Sequence, residues 1–366
     1  MKLKNVIGLM SGTSMDGINA SLVKTNGEIL EKTGYQTILN YSRATATLLK
    51  KYVFKYNTLK YDKDYEYDLS NQIVADHNNA IEEIKKLSGI KPDLIGFHGQ
   101  TVFHKPKKNI SIQIGNGYLL SKMCKTKVVS NFRQNDIDNG GEGAPISPIY
   151  HKYLMQKFNF NLPCCFINIG GVSNITYWDG QELIGFDLGP GNGLMDIYCQ
   201  KHLDIFYDNL GEIASKGKPD FYLVDKFLNQ AFFKKKYPKS IDRLEFENFI
   251  KKLSFKNLNH SDILSTLLEF TVGSIKKGIK ILPFLPTKIV IMGGGQHNKL
   301  LIQKLKLSLR IDIVRANEIG IDGDYVEADM VAYLAMRKLA NIPITFPNTT
   351  GVNFPCIGGK VYNFLN

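Results

Sequence analysis

Cysteine is scarce in this chain of 366 residues, and the five that occur form no CxxC pair. An odd count without metal-ligand spacing argues against a disulfide framework and against a zinc site. Unpaired cysteines are typical of proteins that stay in a reducing compartment, so the composition predicts a cytoplasmic protein. The cysteines are Cys124, Cys164, Cys165, Cys199 and Cys356.

Long apolar stretches are also missing. No window has the length that a membrane helix needs, and the apolar run near the N-terminus is too short for a signal peptide. The net charge is +12, but the lysines are scattered instead of forming one stripe, which argues against a nucleic-acid partner. A mildly basic protein still attracts an anionic substrate such as a nucleotide.

The length and an ordinary composition, 43% hydrophobic and 22% charged, predict one large or two ordinary folded domains. A strand, a glycine-rich polar loop and a hairpin occur at residues 4–39 and again at 164–187. Helices and further strands follow each time. This coarse duplication predicts a two-lobed α/β protein with mixed sheets, helices on their faces and a cleft between the lobes.

Periodicity and turn signals predict the remaining elements. We expect a short strand at 93–97 that ends before His98, and a long irregular loop at 131–148. Asp187 is expected at the end of a strand. Buried strands are predicted at 164–169 and 288–292, and helices at 65–87, 149–158, 222–235, 261–281 and 324–340.

Four glycine-rich loops each follow a predicted strand, at 8–17, 168–174, 187–193 and 293–296. None has the Walker A pattern, and none is a dinucleotide-binding G-x-G-x-x-G turn. Glycines allow successive backbone N–H groups to contact phosphate oxygens. In the first loop, side-chain hydroxyls could add hydrogen-bond donors to the phosphate oxygens, and Asp16 could hold Mg²⁺ through water. The alternative for each loop is a tight turn that does not bind phosphate. The hydroxyls belong to Ser11, Thr13 and Ser14.

Asp187 in FDLGPGN has no obvious cationic neighbour in the sequence, which suits a general base. It could instead cap the following helix, although Asn192 could take that role. Glu327 is either an acid near a helix start or a ligand-binding residue.

The loop 131–148 contains Arg133, Asp136 and Glu142. A guanidinium there suits a carboxylate or phosphate on a ligand, and ordinary loop salt bridges are the alternative. His98 and His104 lack the further ligands that a metal site needs, so His98 is interpreted as a hydrogen-bonding residue of the cleft. No G-x-S-x-G motif or Cys–His pair indicates a covalent nucleophile.

Six motifs in this order together resemble the anhydro-N-acetylmuramic acid kinase family, from residue 6 to about residue 340. They are GLMSGTSMDG, FHGQT, NFRQNDIDNGGEGAP, NIGGVSNIT, FDLGPGN and MGGGQHN. The family belongs to the group of sugar kinases, actin and Hsp70-like ATPases. The resemblance implies a two-lobed actin-like ATPase (ribonuclease H-like) fold with the nucleotide in the interlobe cleft.

The resemblance also implies a division of the chain. Lobe I comprises 1–135 and about 325–366, with the first phosphate hairpin and the sugar side. Lobe II comprises 136–324, with the second phosphate loop, the catalytic aspartate Asp187 and the adenosine loop. ATP and Mg²⁺ are implied, as are a homodimer and the absence of nucleic-acid and membrane partners.

The family's site residues carry over onto matching positions. The residues expected to bind ATP and its phosphates are Gly12, Thr13, Ser14, Met15, Asp16, Gly17, Ile18, Asn19, Gly170, Gly171, Gly293, Gly294 and Gly295. The candidates for binding the sugar are His98, Gln100, Arg133, Asp136, Glu142 and Glu327.

The implied reaction joins hydrolysis to phosphorylation. Asp187 takes a proton from water, the water attacks the anomeric carbon, the 1,6-anhydro bond opens, and O6 accepts the γ-phosphoryl group of ATP. Attack opposite the leaving oxygen implies inversion at that carbon. The product is N-acetylmuramate 6-phosphate, in cell-wall recycling and amino-sugar catabolism.

Two departures from the family pattern bear on this expectation. Asn19 stands where the family's hairpin has a second aspartate, and Ile241-Asp242 replaces Thr-Gly in the segment 237–246. A kinase for a simpler anhydro sugar such as levoglucosan is therefore an alternative. A non-catalytic sugar or nucleotide sensor of the same fold is another, although Asp187 is present. A lactyl carboxylate needs a cation, and Arg133 could supply it.

Overall fold

A computed structural model describes residues 2–12, 15, 17–57, 63–105, 110–241, 246, 250 and 255–365. Contacts divide the chain into two compact units. Unit 1 is Met1–Tyr153, Asp324–Pro347 and Gly351–Asn366, and unit 2 is Leu154–Gly323 with Asn348–Thr350. The predicted site residues Thr13, Ser14 and Asp16 lie outside the described residues, as does Asp242.

The first unit extends beyond the expected boundary at residue 135. Tyr153 explains the difference, because its hydroxyl donates to the carbonyl oxygen of Leu30 at 2.6 Å and its ring stacks on Tyr333 at 5.3 Å. Both partners belong to unit 1.

The strands in chain order are β1 Lys4–Ser11, β2 Gly17–Thr25, β3 Leu30–Asn40, β4 Leu94–Lys105, β5 Ile110–Ile114, β6 Val128–Ser130, β7 Cys164–Ile169, β8 Val172–Trp178, β9 Leu183–Pro190, β10 Lys288–Met292, β11 Asp312–Arg315 and β12 Lys360–Tyr362. The α-helices are α1 Arg43–Asn57, α2 Lys63–Ser88, α3 Gly117–Cys124, α4 Gln134–Asp138, α5 Pro148–Lys157, α6 Gly193–His202, α7 Phe221–Leu228, α8 Ala231–Lys234, α9 His260–Lys280, α10 Lys299–Leu309, α11 Val326–Leu339 and α12 Pro347–Thr350.

Unit 1 is built on a seven-stranded mixed sheet in the order β12-β6-β4-β1-β2-β3, with β5 paired to β4. The strands β1, β2 and β3 are antiparallel neighbours, whereas β4 and β6 continue the sheet in parallel. Helix α11 packs closely on this sheet because Gly8 and Gly96 lie in register on β1 and β4. A Cβ atom on Gly8 would lie 1.9 Å from the carbonyl oxygen of Ala328.

Unit 2 repeats the arrangement with a five-stranded sheet in the order β11-β10-β7-β8-β9. The strands β7, β8 and β9 are antiparallel, and β10 and β11 are parallel to β7. Its core includes Phe227 of α7 and Phe270 of α9, whose rings stack at 4.2 Å.

The same strand order in both units, three antiparallel strands followed by two parallel ones, is the ribonuclease H-like pattern. The expected α/β class with two mixed sheets and flanking helices is confirmed. None of the described helices is long and apolar enough to cross a membrane.

Several predicted element bounds were wrong. Strand β4 does not end at Phe97 but continues to Lys105, because β5 pairs with its second half. Strand β9 continues past Asp187 to Pro190, which pairs with Val172. The helix expected at 222–235 is two helices, since Gln230 between them is extended at ψ 154°. The loop 131–148 contains the short helix α4.

Candidate active site

The first glycine-rich loop lies between β1 and β2 and is fixed where it leaves β1. The Ser11 hydroxyl donates to Nε2 of His77 at 2.9 Å, and Nδ1 of the same ring donates to the carbonyl oxygen of Ile73 at 2.7 Å. Burial lowers the pKa of His77 to about 4, so the ring is neutral and can accept this hydrogen bond. Within the loop, the Met15 N–H donates to the carbonyl oxygen of Gly12 at 3.2 Å.

Gln100 also holds this loop. Its Nε2 donates to the carbonyl oxygens of Gly12 at 3.0 Å and Thr101 at 3.1 Å, while its Oε1 accepts from the Tyr41 hydroxyl at 3.1 Å. Both amide hydrogens therefore have protein partners. The geometry gives Gln100, a predicted sugar-binding residue, a role in shaping the first glycine-rich loop.

The start of β2 carries the remaining residues of the hairpin. The Ile18 side chain is buried in the core of unit 1, so only its backbone can face a ligand. The side-chain amide of Asn19 donates to the carbonyl oxygen of Asp324. A carboxylate at this position could not make that bond, so Asn19 connects β2 to the segment that precedes α11.

Arg133 and His98 form a pair in unit 1. Nε and one terminal nitrogen of Arg133 lie 3.3 and 3.1 Å from Nε2 of His98, and the other terminal nitrogen donates to the carbonyl oxygen of Gly143 at 2.8 Å. Burial, assisted by the charge of Arg133, lowers the pKa of His98 to about 3. His98 is therefore a neutral acceptor that orients the guanidinium, with its Nδ1 donating to the carbonyl oxygen of Gly99 at 3.0 Å.

Three carboxylates predicted to bind sugar lie in the same unit. Asp136 is buried, and its Oδ1 accepts from the Gly143 N–H at 2.7 Å. This hydrogen bond connects two positions of the loop 131–148. Oε2 of Glu142 is buried and accepts no hydrogen bond from the described part of the chain. Glu327 lies in the first turn of α11, and burial raises its pKa while the charge of Arg133 opposes the shift. Among the predicted sugar-binding residues, the structure thus brings Arg133 together with His98 and within electrostatic range of Glu327.

In unit 2, Asp187 is fixed within β9 by a segment far away in sequence. Its backbone N–H donates to the carbonyl oxygen of Lys239 at 2.9 Å, and its Oδ2 accepts from the Ile241 N–H at 2.9 Å. Asp187 does not cap α6; Asn192 is the residue at that position, although its side chain makes no capping hydrogen bond.

The glycine-rich loops of unit 2 pack against one another. A Cβ atom on Gly191 would lie 2.1 Å from the carbonyl oxygen of Gly170, and one on Gly293 would lie 2.3 Å from Oδ1 of Asn168. Gly293 also has a φ of +74°, which favours glycine. The backbones of Gly170, Gly171 and Gly293–Gly295 therefore lie at one end of the sheet, where β7 and β10 end.

Sequence reasoning did not connect Lys239 with Asp187 and did not identify a role for His77. The expectation that Asp187 lacks a cationic neighbour was wrong, because the Lys239 ammonium interacts electrostatically with it. The two residues are far apart in sequence and no periodicity connects them. Pro238-Lys239-Ser240 lies in the segment 237–246, which resembles a family pattern, and this was the available signal for Lys239. His77 lies on the apolar face of α2, where a histidine is indistinguishable from a core residue.

The family model for "Anhydro-N-acetylmuramic acid kinase" matches residues 4–364. Proteins of that name from Pelagibacter ubique and Zymomonas mobilis are 38% and 36% identical to this chain, over 98% and 97% of it and 98% and 99% of their own lengths. A ROK family glucokinase from Streptomyces griseus, solved with glucose and AMPPNP, covers 91% of the chain at 12% identity with a TM-score of 0.43.

Proposed function

Because the chain belongs to the anhydro-N-acetylmuramic acid kinase family, we propose that Asp187 and the glycine-rich loops carry out the reaction that the family name describes. The enzyme is a phosphotransferase that uses ATP. It opens 1,6-anhydro-N-acetylmuramic acid with water and phosphorylates O6, in the recycling of peptidoglycan. What we propose is which residues of this chain carry out each of these steps.

Asp187 is the proposed general base, and its fixed carboxylate is the observation that carries this assignment. The hydrogen bond from the Ile241 N–H leaves the side chain little rotational freedom. The carboxylate takes a proton from water, and the oxygen of that water forms a bond to the anomeric carbon. The bond from that carbon to O6 breaks, and O6 attacks the γ-phosphorus of ATP as ADP leaves.

The glycine-rich loops are proposed to bind the phosphates of ATP. Charge on the transferred group is stabilised by backbone N–H donors that are already in place, so their rigidity matters. The packing of Gly170 against Gly191 and the anchoring of Gly12 by Gln100 provide that rigidity. Mg²⁺, which neutralises phosphate charge when bound, is proposed to arrive with ATP, and Asp16 is its proposed protein ligand, through water.

Unit 1 is proposed to recognise the sugar. Arg133 supplies a guanidinium for the lactyl carboxylate, and His98 fixes its orientation. Glu142 and Glu327 are proposed to accept hydrogen bonds from sugar hydroxyl or amide groups. A simpler anhydro sugar lacks the carboxylate and would not use Arg133 in this way.

The cellular location and the assembly belong to the same proposal. We expect a cytoplasmic homodimer, as the composition and the family resemblance imply. Light scattering on the purified protein should give twice the mass of one chain, and the mass of a single chain would contradict the dimer.

The stereochemistry of the fresh product tests the mechanism. Water activated by a base attacks from the side opposite the leaving O6, so a single anomer of inverted configuration should form first. Proton NMR within the first minutes of reaction would detect it before mutarotation. An initial product that retains the configuration would contradict direct attack by water.

A further inference from the structure

The segment Lys239–Ile241 runs beside β9 and bonds to Asp187 at two points. The Lys239 carbonyl oxygen accepts from the Asp187 backbone N–H, and the Ile241 N–H donates to the Asp187 carboxylate, both at 2.9 Å. One segment therefore fixes both the main chain and the side chain of the proposed base.

The Lys239 side chain is buried, with 5% of its surface exposed, and its ammonium has a defined environment. Nζ lies 4.6 Å from the centre of the Phe232 ring and 5.6 Å from that of Phe186. It donates to the carbonyl oxygens of Lys235 at 3.2 Å and Phe232 at 3.4 Å. Aromatic faces and carbonyl oxygens stabilise a cation without cancelling its charge.

The charges around this ammonium come from three elements. Burial lowers the pKa of Lys239 to about 8, Asp187 on β9 opposes that shift, and the ammonium groups of Lys235 and Lys277 add to it. Lys277 belongs to α9, and Tyr237, whose ring stacks on Phe186 at 5.7 Å, is a titratable group two residues before Lys239. Lys239 thus remains protonated at neutral pH. Since the interaction is mutual, its charge favours the ionised form of Asp187.

We propose that Lys239 is a positioning residue for Asp187. Its backbone carbonyl holds β9, the strand that carries the proposed base, and its buried ammonium keeps the Asp187 carboxylate charged. This inference rests on the proposed function of Asp187 as the base. A base must be ionised to take a proton from water, so a nearby buried cation extends the pH range of activity downwards. Lys239 itself need not touch the sugar or ATP.

Lys239→Met tests the electrostatic part, because methionine keeps an apolar stem among the two phenylalanine rings. Without the cation the carboxylate should protonate more readily, so the acidic limb of kcat/KM for the sugar should move up by about one pH unit. The KM for ATP should stay unchanged. Lys236→Met, which removes an exposed lysine three residues before Lys239, should keep the wild-type profile. If the acidic limb of the kcat/KM profile lies at the same pH for Lys239→Met and for the wild type, the proposal is overturned.

A second measurement does not require the Lys239 variant to fold. NMR of the enzyme labelled with ¹³Cε-lysine should show one lysine that titrates near pH 8, and Asp187→Asn should lower its titration point. An unchanged titration point would overturn the coupling. Full activity of Asp187→Asn would instead refute the proposed base. An inactive Asp187→Asn together with an unshifted profile for Lys239→Met would refute the role of Lys239 alone.

Discussion

At the scale of single residues, neutral histidines organise charged or polar groups in unit 1. His98 uses one ring nitrogen to accept from Arg133 and the other to donate to the Gly99 carbonyl oxygen. His77 does the same between Ser11 and the Ile73 carbonyl oxygen. Each ring must stay neutral to accept, and burial ensures this by lowering both pKa values. The same residue type thus fixes the proposed sugar-binding cation and the start of the proposed phosphate loop.

Replacement of Asp187 by asparagine should lower kcat about 10²- to 10⁴-fold, because an amide cannot take the proton from water. The KM for ATP should change little, since Asp187 is not among the residues proposed to bind ATP and its phosphates. Initial rates with both substrates measure this. The control is Asp179→Asn, in the β8–β9 turn, where an amide oxygen can still accept from the Gln181 and Glu182 N–H groups. A variant at 187 that keeps wild-type kcat would remove Asp187 from the mechanism.

Loss of the acceptor at His98 should weaken sugar binding. In His98→Phe the guanidinium of Arg133 loses a charge-assisted hydrogen bond worth about 1.5–3 kcal/mol, so KM for the sugar should rise at least about tenfold. His98→Gln offers an amide oxygen in place of Nε2 and should recover part of that loss. The KM for ATP is the internal control. Equal sugar KM values for wild type and His98→Phe would contradict the role given to this pair.

At the scale of elements, helix α11 is joined to the sheet of unit 1 by packing and by one buried charge. Small residues allow the packing, because Gly8 and Gly96 present bare backbone to the helix. Asp329 of α11 is fully buried and accepts from the Ser21 hydroxyl of β2 at 2.6 Å. Its Oδ2 lies 3.1 Å from Nζ of Lys32 on β3. One carboxylate therefore connects the helix to two strands.

Lys32→Met should lower the free energy of unfolding by about 1–3 kcal/mol, because it removes the cation that faces a buried carboxylate. The cost stays below that of breaking a fully buried pair, since the Lys32 side chain is 35% exposed. Adding Asp329→Asn should restore part of the loss, since the buried charge then disappears with its partner. Urea denaturation of the two single variants and the double variant measures the coupling. Lys24→Met, which removes an exposed lysine from β2, is the matched control. Additive losses in the double variant would contradict the pairing.

At the scale of the whole molecule, the duplicated α/β architecture could be predicted because residues adjacent in the sequence mark each strand and the loop that follows it. The strands β7 and β10 are short apolar runs, and each ends in glycines that can be read directly. Non-local pairings were not predictable in this way. Strand β4 continues past Gly99 only because β5 pairs with it, and Asp187 is fixed by residues more than fifty positions away. The glycine-rich loops and Asp187 are predictions from the sequence, whereas the hydrogen bonds between Asp187 and the segment Lys239–Ile241 required the fold.

Three buried histidines and the half-buried His104 should make the molecule less stable in mild acid. Burial lowers the folded-state pKa of His77 to about 4 and that of His98, His104 and His151 to about 3. The unfolded chain therefore binds more protons below its ordinary histidine pKa of about 6.5, and stability falls as pH drops from there towards about 4. Each histidine contributes up to about 1.4 kcal/mol per pH unit. Glu327, whose pKa is raised, acts in the opposite direction.

Urea midpoints measured between about pH 7.5 and about pH 5 test this expectation. The midpoint should be nearly constant above about pH 7 and should fall steeply below about pH 6. His202→Gln, which removes an exposed histidine, serves as the control. A midpoint that stays constant down to about pH 5 would show that these histidines are protonated in the folded protein.

The central claim is that this chain couples opening of a muramyl anhydro sugar to phosphoryl transfer from ATP. The most direct test is coupled ADP release from ATP and Mg²⁺ with 1,6-anhydro-N-acetylmuramic acid, beside levoglucosan and no sugar. We expect rapid ADP release with the muramyl sugar and little with either comparison. Release with levoglucosan alone would contradict the proposed substrate, and the absence of any sugar-dependent release would contradict the kinase activity itself.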